Sequence, residues 1–162
     1  MPERLPNLMP SATHGGCVNN LLTFEMMASE LDLAAILCGL ILGGEVEVRH
    51  DYTAAGRSHY VRVDCETDSH VIEVGFDAKR STRDSLHQAL FAAELTGKLP
   101  MIVVIDTNGV EENIEFQVET VAQTAGVSYL TVTEDYLIRW QMTWPFRQDR
   151  DILFRDATLA MN

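Results

Sequence analysis

A chain of 162 residues, 46% apolar and 22% charged, has the size and composition of one globular domain around one hydrophobic core. Its formal net charge of −12 at pH 7 argues against broad nonspecific binding to nucleic acid, which rests on neutralising phosphates. Its most apolar run, Leu31 to Leu42, is too short to span a bilayer and reads as a buried helix, so no membrane partner is expected.

The charge is unevenly spread. No Lys or Arg occurs from Leu99 to Ile138, while the bases gather between Arg49 and Arg83 and between Arg139 and Arg155, which leaves room for a local basic face on an acidic body. Cys17, Cys38 and Cys65 are odd in number and lack CxxC spacing, so they read as reduced thiols. The first twenty residues carry no apolar signal-peptide core. Both features point to a cytoplasmic location.

In chain order, residues 1–20 hold three of the five prolines and the Gly15–Gly16 pair and are expected to form an irregular N-terminal arm. A helix is expected from Leu21 to Leu42, with Ser29 and Asp32 offering a second start inside it and Gly43–Gly44 as its stop. Three alternating runs follow, Glu45 to His50, His59 to Cys65 and His70 to Val74, each patterned as a half-buried strand. Ala54-Ala55-Gly56 makes a loop-like link between the first two, and Asp68-Ser69 a tight one between the last two.

Ser81 is the expected N-cap of a helix running to about Thr96 and stopped by Gly97, with Leu86, Leu90 and Ala93 as its inner stripe. Met101 to Ile105 reads as a central strand covered on both faces. Ile114, Val118, Val121, Ala122 and Ala125 mark one face of a further helix that Gly126 ends, and Val127 to Val132 a last strand. These elements make a single α/β domain over residues 21–138. The tail, 139–162, carries Trp140, Trp144, Phe146 and Phe154 and is expected to dock, either on the domain or in a homodimer contact.

The chemistry-bearing feature is a carboxylate pair. If the turn centres between Asp68 and Ser69, Thr67 faces His70, Cys65 faces Ile72, and Asp64 faces Glu73. Directly opposed Cβ atoms lie roughly 4.5–5.5 Å apart. Two carboxylates that close repel, so a proton, a basic side chain or a divalent cation has to neutralise them. Mg²⁺ or Mn²⁺ suits such acids together with a backbone oxygen, for which the Val74 carbonyl is placed. The plainer alternative is Arg62, on the same face as Asp64 and diagonal to Glu73, pairing with both acids.

The order αβββαβ, with Arg62-Val63-Asp64 on the second strand, Ile72-Glu73-Val74-Gly75 on the third and Leu86-His87-Gln88-Ala89-Leu90 on the next helix, resembles the PD-(D/E)xK nuclease superfamily over Leu21 to Ile105. The resemblance implies a restriction-endonuclease-like core with a mixed sheet, followed by an extra helix, strand and tail. It implies Asp64 and Glu73 as magnesium ligands, Gln88 as a secondary active-site residue, and Glu25 or Glu30 as a possible extra acid. It implies nucleic acid as the partner and phosphodiester hydrolysis as the reaction. The chain departs from the pattern at Gly75, where the family has its lysine. Arg62, reaching over Gly75, or Lys79, at the entry to the next helix, would have to stabilise the developing charge; arginine is a poor base because it stays protonated. The competing reading is a catalytically inactive module that keeps the fold.

Other constellations are weaker. His50, His59, His70 and His87 match no zinc spacing, and no phosphate-loop, nucleophile-elbow or dinucleotide motif occurs.

Overall fold

The computed structural model describes residues 29–159, with side chains for residue 29 and residues 31–148. The expected N-terminal arm, Glu25 and Cys17 lie outside the described residues, as does the side chain of Glu30.

The second helix start at Ser29 is the one seen. The Ser29 hydroxyl accepts from the Asp32 N–H at 3.3 Å and the Asp32 carboxylate accepts from the Ser29 N–H at 3.0 Å, a reciprocal cap that begins α1, Glu30–Ala35. A π-helical turn, Ile36–Leu42, continues it and ends at Gly43, whose φ of +66° suits a residue without Cβ. Leu33, Ile36, Leu37 and Cys38 face inward from this segment.

Strands β1 (Glu45–Ala54), β2 (Arg57–Glu66) and β3 (His70–Phe76) form an antiparallel meander. Strands β4 (Leu99–Asp106) and β5 (Ser128–Thr133) add in parallel, giving one mixed five-stranded sheet in the order β1-β2-β3-β4-β5. The expected loop between β1 and β2 is a two-residue hairpin turn: Ala54 pairs with Arg57. Ala55 and Gly56 both take positive φ, +50° and +73°, as the hairpin turn that matches strand twist requires. Alternation does not show this, because Ala is a poor residue for that conformation. Ala55→Gly is therefore expected to stabilise the fold by about 1 kcal/mol, read from the urea midpoint.

Helix α2 (Thr82–Thr96) starts after Ser81 and stops at Gly97, as expected. Ser81 makes no side-chain cap bond, however, and the inner face is not the expected stripe. Thr82, Ser85, Ala89 and Ala92 are buried while Leu90 is 39% exposed; Leu86 and Ala93 sit at the margin. Small side chains let the helix approach the sheet closely, so volume and not hydrophobicity chose the face. Helix α3 (Asn113–Ala125) buries Val118 and Ala122 but leaves Val121 exposed, and it buries Glu115, whose carboxylate accepts from the Thr131 hydroxyl at 3.0 Å.

Helix α4, Glu134–Leu159, runs straight through the boundary placed after Ile138. Leu137 is fully buried and the Trp140 indole donates to the Leu40 carbonyl at 3.2 Å, so this segment docks on the π-helical turn. No helix among the described residues is long and apolar enough to cross a membrane.

The core lies on both sides of the sheet. Leu33, Leu37, Cys38, Cys65, Ile72, Val103 and Leu137 pack on the side of α1 and α4. Val63, Val71 and Ala92, and Ile102, Val104 and Val118, pack on the side of α2 and α3. The expectation of reduced thiols is overturned for two of the cysteines: Cys38 and Cys65, Cα atoms 5.5 Å apart, form a disulfide that fastens the π-helical turn to β2. Both are core positions brought face to face across 27 residues, a pairing that no local spacing announces.

Candidate functional site

The site grows from the place where the meander loses its ladder. The turn sits where the sequence puts it: Thr67 N–H donates to the His70 carbonyl at 2.9 Å, and Cys65 pairs with Ile72. Regular β2–β3 pairing ends there. The next inward N–H, that of Val74, donates at 2.9 Å to the Asp64 carboxylate instead of to a backbone carbonyl.

The β1–β2 ladder is interrupted at the same level, passing from Val46–Cys65 to Val48–Val63 with Glu47 and Asp64 left out. Glu47 has φ +58°. That is a left-handed conformation in mid-strand, uncommon for a residue with a Cβ. The packing shows the consequence: Val63 and Cys65, two residues apart, belong to clusters on opposite sides of the sheet. Strict alternation, expected through His59 to Cys65, breaks at Asp64.

Asp64 and Glu73 share a hydrogen bond. Glu73 is 1% exposed and its Oε1 has no partner. Burial first, then the charge of Asp64, the bond to Asp64 and the charge of Glu47 push the Glu73 carboxyl up to about 9. Burial also raises Asp64, opposed by the Val74 N–H and the Glu73 bond. At neutral pH one proton is therefore held between the two acids, on Glu73. Without a cation, that proton is what relieves the repulsion of the pair.

Arg62 does not clamp the pair. Its Nε lies 2.7 Å from Glu47 Oε2, and its charge is the weakest of the influences on Asp64. Nor does it reach into space over Gly75, as the sequence suggested. A Cβ on Gly75 would stand 2.2 Å from Thr82 Cγ2. Thr82 is pinned there by its hydroxyl, which donates to the Phe76 carbonyl at 2.7 Å and accepts from the Phe76 N–H at 2.9 Å. Gly75→Ala is expected to cost about 1–3 kcal/mol by overpacking, measured by urea unfolding, and a lysine there would not be accommodated.

A cleft of about 640 Å³ opens beside Asp64 between α1 and the start of α2, and the buried Glu73 is not among the residues that line it. Asp64, Glu47, Arg62, Val74 and Lys79 line it, with Asp32 on the α1 wall. Lys79 is exposed and holds its ammonium 5.4 Å from the centre of the Phe76 ring. Gln88 is exposed on α2 and lies outside the cleft lining, which α2 supplies through Thr82 and Ser85. Glu30 opens α1, so its backbone stands on the cleft wall's helix.

Among the described residues no group of three or more His, Cys, Asp or Glu side chains is arranged to hold a metal ion. The histidines are dispersed: His50 Nε2 lies 2.5 Å from Glu66, which also takes the Lys98 ammonium at 2.7 Å, while His59 stacks on Tyr52. Glu47 escaped the sequence reading. Its position opposite Asp64 follows from counting back from a two-residue turn at Ala55-Gly56, and that turn read as a longer loop.

Comparison with protein-family models, with curated proteins and with solved structures returned no match to this chain.

Proposed function

We propose that this is a cation-binding α/β domain whose ligands are Asp64, Glu73 and the Val74 carbonyl. Within that class, we read it as a divergent metal-dependent nuclease of the PD-(D/E)xK type that hydrolyses phosphodiesters in nucleic acid. One observation carries the reading: a carboxylate oxygen, Glu73 Oε1, is buried without a partner next to Asp64, whose own carboxylate lines a cleft. A buried polar atom without a partner is costly, and a hard cation seeks such an oxygen. The element order and the mixed sheet support the restriction-endonuclease-like assignment.

Mg²⁺ or Mn²⁺ bound there would polarise a phosphoryl oxygen and lower the pKa of a bound water. The chain's own groups divide the remaining work. Asp64, anchored by the Val74 N–H, presents a fixed carboxylate. Lys79 and Arg62, both on the cleft, would meet the charge that develops on the phosphorus oxygens. Gln88, exposed on α2 and away from the cleft lining, is given no role in this arrangement.

A catalytically inactive module is the second reading, and the packing of Thr82 onto Gly75 favours it, because the motif lysine has no room. Manganese titration by calorimetry separates the two, together with a cleavage assay on linear duplex and single-stranded DNA. The nuclease reading expects heat of binding that disappears in Asp64→Asn, and cleavage that falls to background in Glu73→Ala. Binding without cleavage by the unaltered protein leaves the module. No binding at all removes the nuclease reading.

A further inference from the structure

We propose that Glu47 is a third carboxylate ligand of the Asp64–Glu73 site, held away from it by Arg62 until a divalent cation draws it over. This rests on the metal-binding reading of that pair and adds to it a ligand and a built-in competitor.

The backbone is the first reason. Glu47 sits in mid-strand with φ +58°, skipped by the ladder at the level of Asp64. Its side chain lines the cleft with that of Asp64. Its charge is felt at both Asp64 and Glu73. The second reason is independent of the acids' clustering: Glu73 Oε1 is buried and unpartnered, an acceptor with no donor. Two carboxylates and one carbonyl are a thin set for a hard cation, which takes about six oxygens, the remainder being water.

The third reason is Arg62. Its Nε holds Glu47 Oε2 at 2.7 Å, and both residues lie on the cleft. An arginine and a cation cannot share that oxygen without repulsion. As arranged, the three carboxylates do not converge on one point. Bringing Glu47 in requires rotation about its side-chain bonds and release of Arg62, whose side chain is 62% exposed and free to swing into solvent. The freed guanidinium would then stand at the cleft mouth, where an anionic ligand of the cation would meet it.

Calorimetric titration of the full chain with Mn²⁺ tests this, with thermal melts confirming that each variant is folded. Glu47→Gln is expected to weaken binding about tenfold, and Glu47→Asp to weaken it comparably, because the charge remains but the oxygen no longer reaches. Arg62→Ala is expected to tighten binding roughly threefold, and the gain should vanish in the double variant with Glu47→Gln, since the competition acts through that carboxylate. If Glu47→Asp binds like the unaltered protein, Glu47 acts only through its field and is no ligand. If Glu47→Gln is also unchanged while Asp64→Asn loses binding, the pair stands and Glu47 is not part of it. If neither the unaltered protein nor Arg62→Ala takes up Mn²⁺, the metal reading of the pair fails, and this inference fails with it.

Discussion

In the presence of a chelator, Glu73→Gln is expected to raise stability at pH 8 by an amount on the order of 3 kcal/mol, and to leave stability at pH 5 nearly unchanged. The carboxyl of Glu73 titrates near 9 in the folded chain, against 4.5 for an unhindered glutamate. Between those values the folded state holds a proton that the unfolded state has released. Stability therefore falls as pH rises through that window, and the loss is complete above the folded value. Asp64 is raised as well and contributes with the same sign. Glutamine keeps the shape and can donate to Asp64 as the protonated acid does, but it has no proton to lose. Urea unfolding midpoints measured from pH 5 to pH 9 should slope downward for the unaltered protein and lie nearly flat for the variant. Parallel slopes would mean that Glu73 is not the buried acid described here.

The second large effect is expected on reduction. The Cys38–Cys65 disulfide closes a loop across 27 residues, and removing it should cost about 3 kcal/mol. For a domain of this size that corresponds to a melting temperature lower by about 10 °C. The crosslink ties the π-helical turn, which carries part of the core shared with Leu137 of α4, to the strand bearing Asp64. Adding a dithiol reductant and replacing both cysteines by alanine should give the same melting temperature, and the double variant should be indifferent to the reductant. Equal melting of the oxidised and reduced protein would show that the fold does not depend on the bond.

Both effects involve β2, and they differ in how far the sequence foreshadows them. The tight turn at Asp68-Ser69 was enough to set the register that brings Asp64 near Glu73, although regular pairing ends at Cys65 and Ile72 and the alternation expected through His59 to Cys65 breaks at Asp64. The glycines at 43, 97 and 126 marked helix ends for the same local reason, and all three are left-handed caps in the structure. Arg62 was misplaced: its partner, Glu47, depended on a hairpin turn built from Ala55, a residue whose type gives no sign of positive φ. The inner face of α2 was legible only in part: Leu86 and Ala93 pack on the core as expected, but Leu90 is exposed and the fully buried positions go to Thr82, Ala89 and Ala92, with Thr82 against Gly75.

From the amino acids alone came the order of helices and strands and the proximity of two negative side chains, since periodicity and tight turns act over a few residues. Long-range packing decided the rest: which thiols meet, that Thr82 takes the room above Gly75, that Arg62 pairs with Glu47 and not with the buried acids, and that a third acid stands across from Asp64. Those outcomes turn on distances between segments far apart in the chain, and such distances exist only once the sheet has twisted and the helices have settled on it.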